Sequence, residues 1–198
     1  MVNAGLIVVD VQNDFIVGSL PVPDGIKVIR PLNKLIKAFT SAAAPIAYTR
    51  DWHPVNHCSF KEYGGIWPPH CVKNTYGAAF HPDLFVPLVH KGQVKIISKA
   101  TTQSKEAYSG FQGTNLNSFL KNVNTLVIGG LATDYCVKNT TLDAIKLGYV
   151  VIVVSDGVRA VSPEDDTLEL LERRGATLKT SNEIKRWLNN DTTRRTDI

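Results

Sequence analysis

Thr125-Leu-Val-Ile-Gly-Gly-Leu-Ala-Thr-Asp-Tyr-Cys-Val137 opens as a short β-branched apolar run, Leu126 to Ile128, and passes through two glycines into a stretch of helical character over 137–148. A second apolar run, Val150 to Val154, follows directly. Strand, helix and strand in immediate succession describe a parallel βαβ unit, because parallel neighbours need a crossover between them. Outward from this unit the alternation continues. Leu6 to Val9, Ile46 to Thr49 and Val94 to Ile97 precede it, and Ala176 to Leu178 follows more weakly. Helical stretches near 27–42, 114–122, 163–174 and 182–189 lie between, the third opened by Ser162-Pro163-Glu164-Asp165, a cap followed by proline at the first helical position. Six strands alternating with helices predict an α/β fold: a single-domain three-layer α/β/α sandwich around a six-stranded parallel sheet, Rossmann-like in layout.

One segment breaks the rhythm. Asp51 to Gly92 is rich in Pro, Gly, His and aromatic residues and exceeds an ordinary connection, which marks it as a functional insert. The domain is expected over 1–190, with a polar, frayed tail at 191–198. The longest apolar run, Tyr149 to Val154, is far short of the roughly 20 residues that a membrane span needs. The net charge of +4 comes from scattered Lys and Arg rather than a basic stripe. Neither a membrane nor a nucleic acid is therefore an expected partner. Three cysteines behind an opening with no signal-like character argue against a disulfide framework and for free thiols in a cytoplasmic protein.

Three reactive side chains stand just beyond predicted strands: Asp10 after β-branched Ile7 to Val9, Lys99 after Val94 to Ile97, and Cys136 after the strand that begins at Leu126. In open parallel sheets the ligand crevice lies outside the carboxyl ends of the strands, so all three can meet there. At a strand-to-helix turn, unpaired backbone N–H groups and the helix dipole favour a Cys136 thiolate and can hold an oxyanion, and a nearby Lys99 strengthens that bias. Asp10 can take the thiol proton and later hand it to a leaving amine. Singly, each has a bland reading as turn former, surface charge or inert buried thiol; their matched placement is what points to catalysis.

A second constellation is Asp51-Trp-His53, with His57 and Glu62 nearby and His70 further along. Residues i and i+2 of an extended segment point the same way, and one distant histidine completes a three-ligand set with open positions. Carboxylate plus two imidazoles suits zinc, iron or manganese. Cys58 and Cys71 are alternative soft ligands, although burial explains them as well. Phe15, Trp67 and Tyr135 lie beside these motifs and can enclose a planar ring.

Asp10-Val-Gln-Asn-Asp-Phe15, Asp51-Trp-His-Pro54, Trp67-Pro-Pro-His-Cys-Val72 and Gly129-Gly-Leu-Ala-Thr-Asp-Tyr-Cys-Val137, in that order, make the chain resemble the nicotinamidase/pyrazinamidase branch of the isochorismatase-like cysteine hydrolases over nearly its whole length. The resemblance implies Asp10, Lys99 and Cys136 as catalytic triad and a cis peptide before Ala132, whose N–H joins that of Cys136 in an oxyanion hole. It implies Phe15 and Trp67, with Ala132 and Tyr135, around the substrate ring. It implies Asp51, His53 and His70 as ligands of one divalent ion, zinc before iron or manganese, with His57 or Glu62 open as a further ligand. The implied reaction hydrolyses nicotinamide to nicotinate and ammonia through a Cys136 thioester, in NAD salvage, by a homo-oligomer.

Rival readings are an isochorismatase or N-carbamoyl amidase on the same fold, which the Asp51, His53 and His70 motif disfavours, and a non-catalytic scaffold, which an intact triad disfavours. A redox role for Cys71 and Cys136 lacks a Cys-x-x-Cys pair.

Overall fold

A computed structural model describes residues 3–87, 92–162 and 164–193. Six strands, β1 (Ala4–Val9), β2 (Ile46–Asp51), β3 (Val94–Lys99), β4 (Thr125–Leu131), β5 (Val150–Arg159) and β6 (Thr177–Lys179), form one sheet in the order β3-β2-β1-β4-β5-β6. Every neighbouring pair is parallel, as the alternation required. The helices are α1 (Ile29–Ser41), α2 (Leu116–Leu120), α3 (Lys138–Lys146), α4 (Thr167–Arg173) and α5 (Ser181–Thr193).

Because side chains alternate along a strand, β1 feeds two cores. Ala4, Leu6 and Val8 pack with Leu32, Leu35, Ile36 and Phe39 of α1 and with Ile184 and Leu188 of α5. Ile7 and Val9 pack with Leu116 and Leu120 of α2, Ala144 of α3 and Leu171 of α4. Each large apolar side chain fully buried this way contributes about 1.5–3 kcal/mol relative to exposure. Both faces are covered, which explains why the strands read as continuous apolar runs.

The chain winds outward from β1 to β3 and returns to lay β4 on the other side of β1. The switch point between β1 and β4 opens a crevice at their carboxyl ends. Local backbone sharpens it. Asp10 and Ala100, immediately after β1 and β3, both adopt left-handed φ of 49°. In β4 the register with β5 shifts between Ile128 and Gly130. Gly130 has φ of 134°, and a Cβ there would stand 2.0 Å from the Val9 carbonyl oxygen, so only glycine fits.

Several boundaries differ from expectation, among them β5, which runs past Val154 to Arg159. The helix expected over 137–148 runs from Lys138 to Lys146, and the strand-to-helix turn that carries Cys136 is a π-helical one, Thr133–Val137. The helix expected over 163–174 starts at Thr167. Asp134 accepts the N–H groups of Val161 (3.0 Å) and Ser162 (2.9 Å), which pulls this segment toward the crevice, and Asp165 accepts the Thr167 N–H at 3.1 Å. Pro163 lies outside the described residues. Finally, α5 continues through Thr193, into the stretch expected as tail, since 189–193 contain neither Gly nor Pro to stop it.

Candidate active site

Four strands deliver the chemistry. Asp10 follows β1, Asp51 ends β2, Lys99 ends β3, and Cys136 occupies the turn after β4. Asp51 and Lys99 are register partners of adjacent parallel strands, so their side chains emerge together on one face. Lys99 Nζ stands 2.5 Å from Asp51 Oδ1, 3.1 Å from Asp10 Oδ2 and 3.3 Å from Cys136 Sγ, and it donates to the Ala107 carbonyl at 3.0 Å. All four residues, Asp10, Asp51, Lys99 and Cys136, are buried.

Burial opposes the Lys99 ammonium, but Asp10, Asp51 and Cys136 outweigh it and push its pKa well above the ordinary range. The two carboxylates diverge. Burial acts against the Asp51 charge, yet Lys99, His53 and His70 together hold its carboxyl below the usual value. For Asp10 burial prevails over Lys99, with Asp51 adding to it, and the carboxyl is raised. A raised carboxyl beside a nucleophile is suited to general-base work, while the depressed one stays charged. Burial, against Lys99 and with Asp10 and Asp51, pushes the Cys136 thiol well above its ordinary range.

Asp51 leads to the second cluster. One ligand atom each from Asp51, His53 and His70 lie within 4.8 Å of one another, and all three residues are buried. His53 Nδ1 lies 3.1 Å from the Ala100 carbonyl and His70 Nδ1 lies 2.8 Å from the Pro68 carbonyl, which leaves each Nε2 free for the cluster. His53 Nε2 is buried without a hydrogen-bond partner. Burial, opposed by Asp51 and reinforced by His70 and His57, lowers the His53 pKa to about 4 and keeps the ring neutral. A neutral imidazole with an orphaned nitrogen facing a carboxylate and a second imidazole fits a divalent cation.

His57 and Glu62 stand outside this cluster. His57 stacks on His53 with ring centroids 4.1 Å apart, but its Nδ1 meets Ser59 Oγ at 2.7 Å and its Nε2 meets the Lys105 carbonyl at 3.0 Å. Glu62 is exposed on the 3-10 turn Lys61–Tyr63. Cys58 and Cys71 are free thiols, half-buried and buried respectively.

Beside both clusters lies a narrow cavity lined by Phe15, Trp67, His70, Ala132, Tyr135, Cys136 and Asp51, together with Leu20, Val22, Tyr108 and Val161. Trp67 and Tyr135 meet edge to face at 5.0 Å, and Trp67 Nε1 donates to the Tyr108 hydroxyl at 3.1 Å. The peptide between Leu131 and Ala132 is cis. A larger open cleft beside α1, among Arg30, Lys34, Lys37 and Asp83, is lined by no thiol or hydroxyl side chain.

Sequence reading missed Tyr108, Thr49 and Gln12. Tyr108 belongs to the loop after β3, where the strand-end rule would have directed attention. Thr49 Oγ1 donates to Asp10 Oδ1 at 2.7 Å. Gln12 clamps the Asp51 backbone, accepting its N–H at 2.8 Å and donating to its carbonyl at 2.8 Å. Nothing local in the sequence marks either contact.

The family model described as the isochorismatase domain matches residues 4–183. The nicotinamidase of Escherichia coli is 37% identical, over 88% of this chain and 93% of its own. Among solved structures, the pyrazinamidase of Pyrococcus horikoshii in complex with zinc is 47% identical, with a TM-score of 0.85 and coverage of 90% of this chain and 99% of that one. PnC1 of L. infantum in complex with nicotinate is 32% identical, with a TM-score of 0.78 over 90% and 93% of the two chains. This chain belongs to the isochorismatase family, with nicotinamidases and pyrazinamidases among its relatives.

Proposed function

We propose that the protein is a nicotinamide amidohydrolase that releases nicotinate and ammonia through a Cys136 thioester, with pyrazinamide as a related substrate. The observation that carries the reading is the convergence of Asp10 and Lys99 behind Cys136, which lines a cavity also lined by Asp51 and His70 of the buried Asp51, His53 and His70 cluster. The nicotinamidase, pyrazinamidase and nicotinate-complexed relatives support the substrate class.

Asp10 takes the proton of Cys136 as Sγ attacks the carboxamide carbon. The N–H groups of Ala132 and Cys136 receive the oxyanion as the C=O bond opens to a tetrahedral carbon. The C–N bond breaks, Asp10 returns its proton to the departing nitrogen, and ammonia leaves. Water then adds to the thioester with Asp10 as base, the C–S bond breaks, and Cys136 recovers a proton as nicotinate departs. Lys99 compensates negative charge on Sγ throughout. Phe15 and Trp67 hold the pyridine ring, with Tyr135 against Trp67.

Asp51, His53 and His70 would hold a divalent ion, zinc first given the Pyrococcus complex. Such an ion supplies a Lewis-acidic anchor for the ring nitrogen or its bound water, orienting the carboxamide toward Sγ. Three free thiols suit a cytoplasmic enzyme of pyridine-nucleotide salvage.

The test is ammonia release from nicotinamide by purified protein, beside Cys136→Ala and a chelator-treated sample. Release that requires both thiol and metal is the expected result. No release from folded, metal-loaded protein would reject nicotinamide as the substrate.

A further inference from the structure

We propose that Asp14 is a positioning residue that locks the histidine ligands of the metal cluster to the loop carrying Phe15; the inference rests on the metal-assisted reading above. Asp14 lies in the 3-10 turn Asn13–Phe15, one residue before the cavity wall. Its carboxylate turns to the insert. Oδ2 accepts the Cys71 N–H at 2.7 Å, and Oδ1 accepts the Ser19 N–H at 3.1 Å. Ser19 Oγ in turn donates to the Pro69 carbonyl at 2.7 Å. His70 is thus tied on both sides, through Pro69 before it and Cys71 after it.

The tie reaches His53 as well. The Cys71 carbonyl accepts the His53 N–H at 3.0 Å, and the His53 carbonyl accepts the Lys73 N–H at 2.8 Å. Cys71 holds a left-handed φ of 47°, a conformation that a β-carbon disfavours and that the Asp14 bond helps to retain. The carboxylate also fills a slot built to its size: a Cβ at Gly77 would stand 2.1 Å from Asp14 Oδ2, and one at Gly18 would stand 2.1 Å from Oδ1. Charge-assisted bonds from backbone amides to a carboxylate are about twice as strong as neutral ones. Among the described residues Asp14 makes no hydrogen bond to Asp10, Lys99 or Cys136. Its influence on the reaction therefore runs through ligand placement and the Phe15 wall rather than through the nucleophile.

The experiment compares wild type, Asp14→Asn and Ser19→Ala in three readouts: zinc affinity by chelator competition, steady-state kinetics with nicotinamide, and the rate of Cys136 alkylation by iodoacetamide. Asp14→Asn keeps the size but turns an amide NH2 toward a backbone donor. It should weaken zinc binding about 10–100-fold, the range for residues that support ligands. KM should rise, with kcat at saturating zinc and substrate within about threefold and alkylation unchanged. Ser19→Ala, at an exposed position, should act in the same direction by about two- to tenfold. Wild-type zinc affinity and KM in both variants would overturn the proposal, as would alkylation changing in step with zinc affinity, the mark of general loosening. If Asp14→Asn does not fold, Ser19→Ala decides alone. Wild-type protein that takes up no zinc overturns the metal-assisted reading together with this inference, whereas wild-type uptake with unaltered variants overturns this inference only.

Discussion

Lys99 donates to Asp51 Oδ1 at 2.5 Å while Asp51 Oδ2 faces His53 Nε2 at 3.8 Å, so one carboxylate serves the ammonium beside Cys136 and the buried histidine cluster at the same time. Its two substitutable functions can be separated. Asp51→Ala and His53→Ala should both weaken zinc binding, but only the first strips a buried ammonium of a counter-ion. In chelator, Asp51→Ala should cost about 3–5 kcal/mol of folding stability. His53→Ala should cost about 1–3 kcal/mol, chiefly for the Ala100 carbonyl left unpaired. Urea denaturation of the two variants checks this, and equal losses would count against the shared role of Asp51.

Zinc should stabilise the fold by mass action. At a free concentration of about 100 times Kd the gain is about 2.7 kcal/mol. For a chain of this size that corresponds to a rise in Tm of about 5–10 °C. Scanning calorimetry with and without the ion should show the shift in wild type and lose it in His53→Ala. A shift that survives the substitution would place the ion elsewhere.

The acid limb of kcat/KM should report Asp10, which works as a base only when ionised. Burial raises its carboxyl, so activity should fall, as pH drops, at a higher pH than an ordinary carboxylate would give. The Thr49 hydroxyl bond lowers that pKa. Thr49→Val removes the bond at nearly constant shape and should move the limb upward by about one pH unit. A pH–rate profile of the variant that overlies wild type would remove Asp10 from this role.

Gly130→Ala tests the bend of β4. Its φ of 134° and the 2.0 Å approach to the Val9 oxygen leave no room for a methyl group. The expected loss is about 3 kcal/mol or more, from backbone strain and overpacking together. Activity should fall with it, because β4 leads directly into Ala132 and Cys136. Wild-type stability in equilibrium unfolding would show that the strands can separate at little cost.

Hydrophobic period and turn chemistry are local properties, and they carried the reading a long way. Val150 to Val154 suited a buried strand between helices, and the strand-end rule let Asp10, Lys99 and Cys136 meet in one crevice. The Asp51-Trp-His53 spacing with His70 suggested a three-ligand set, and the resemblance in the Asp51-Trp-His-Pro54 and Trp67-Pro-Pro-His-Cys-Val72 segments implied the same one. Local rules failed where a distant acceptor competed. Ser162-Pro163 looks like a helix start, but Asp134 captures the neighbouring N–H groups across 27 and 28 residues and delays the helix to Thr167.

What the amino-acid order determined by itself was which residues stand at strand ends and which types of donor they carry. Tertiary structure alone decided their electrical state and partners. Folding raised the Cys136 thiol by burial, engaged both His57 nitrogens away from the cluster, and set Gln12 on the Asp51 backbone from 39 residues away. The reason is physical. A side chain's type is written at its position, but its desolvation and its hydrogen-bond geometry depend on atoms that only folding brings within about 3 Å.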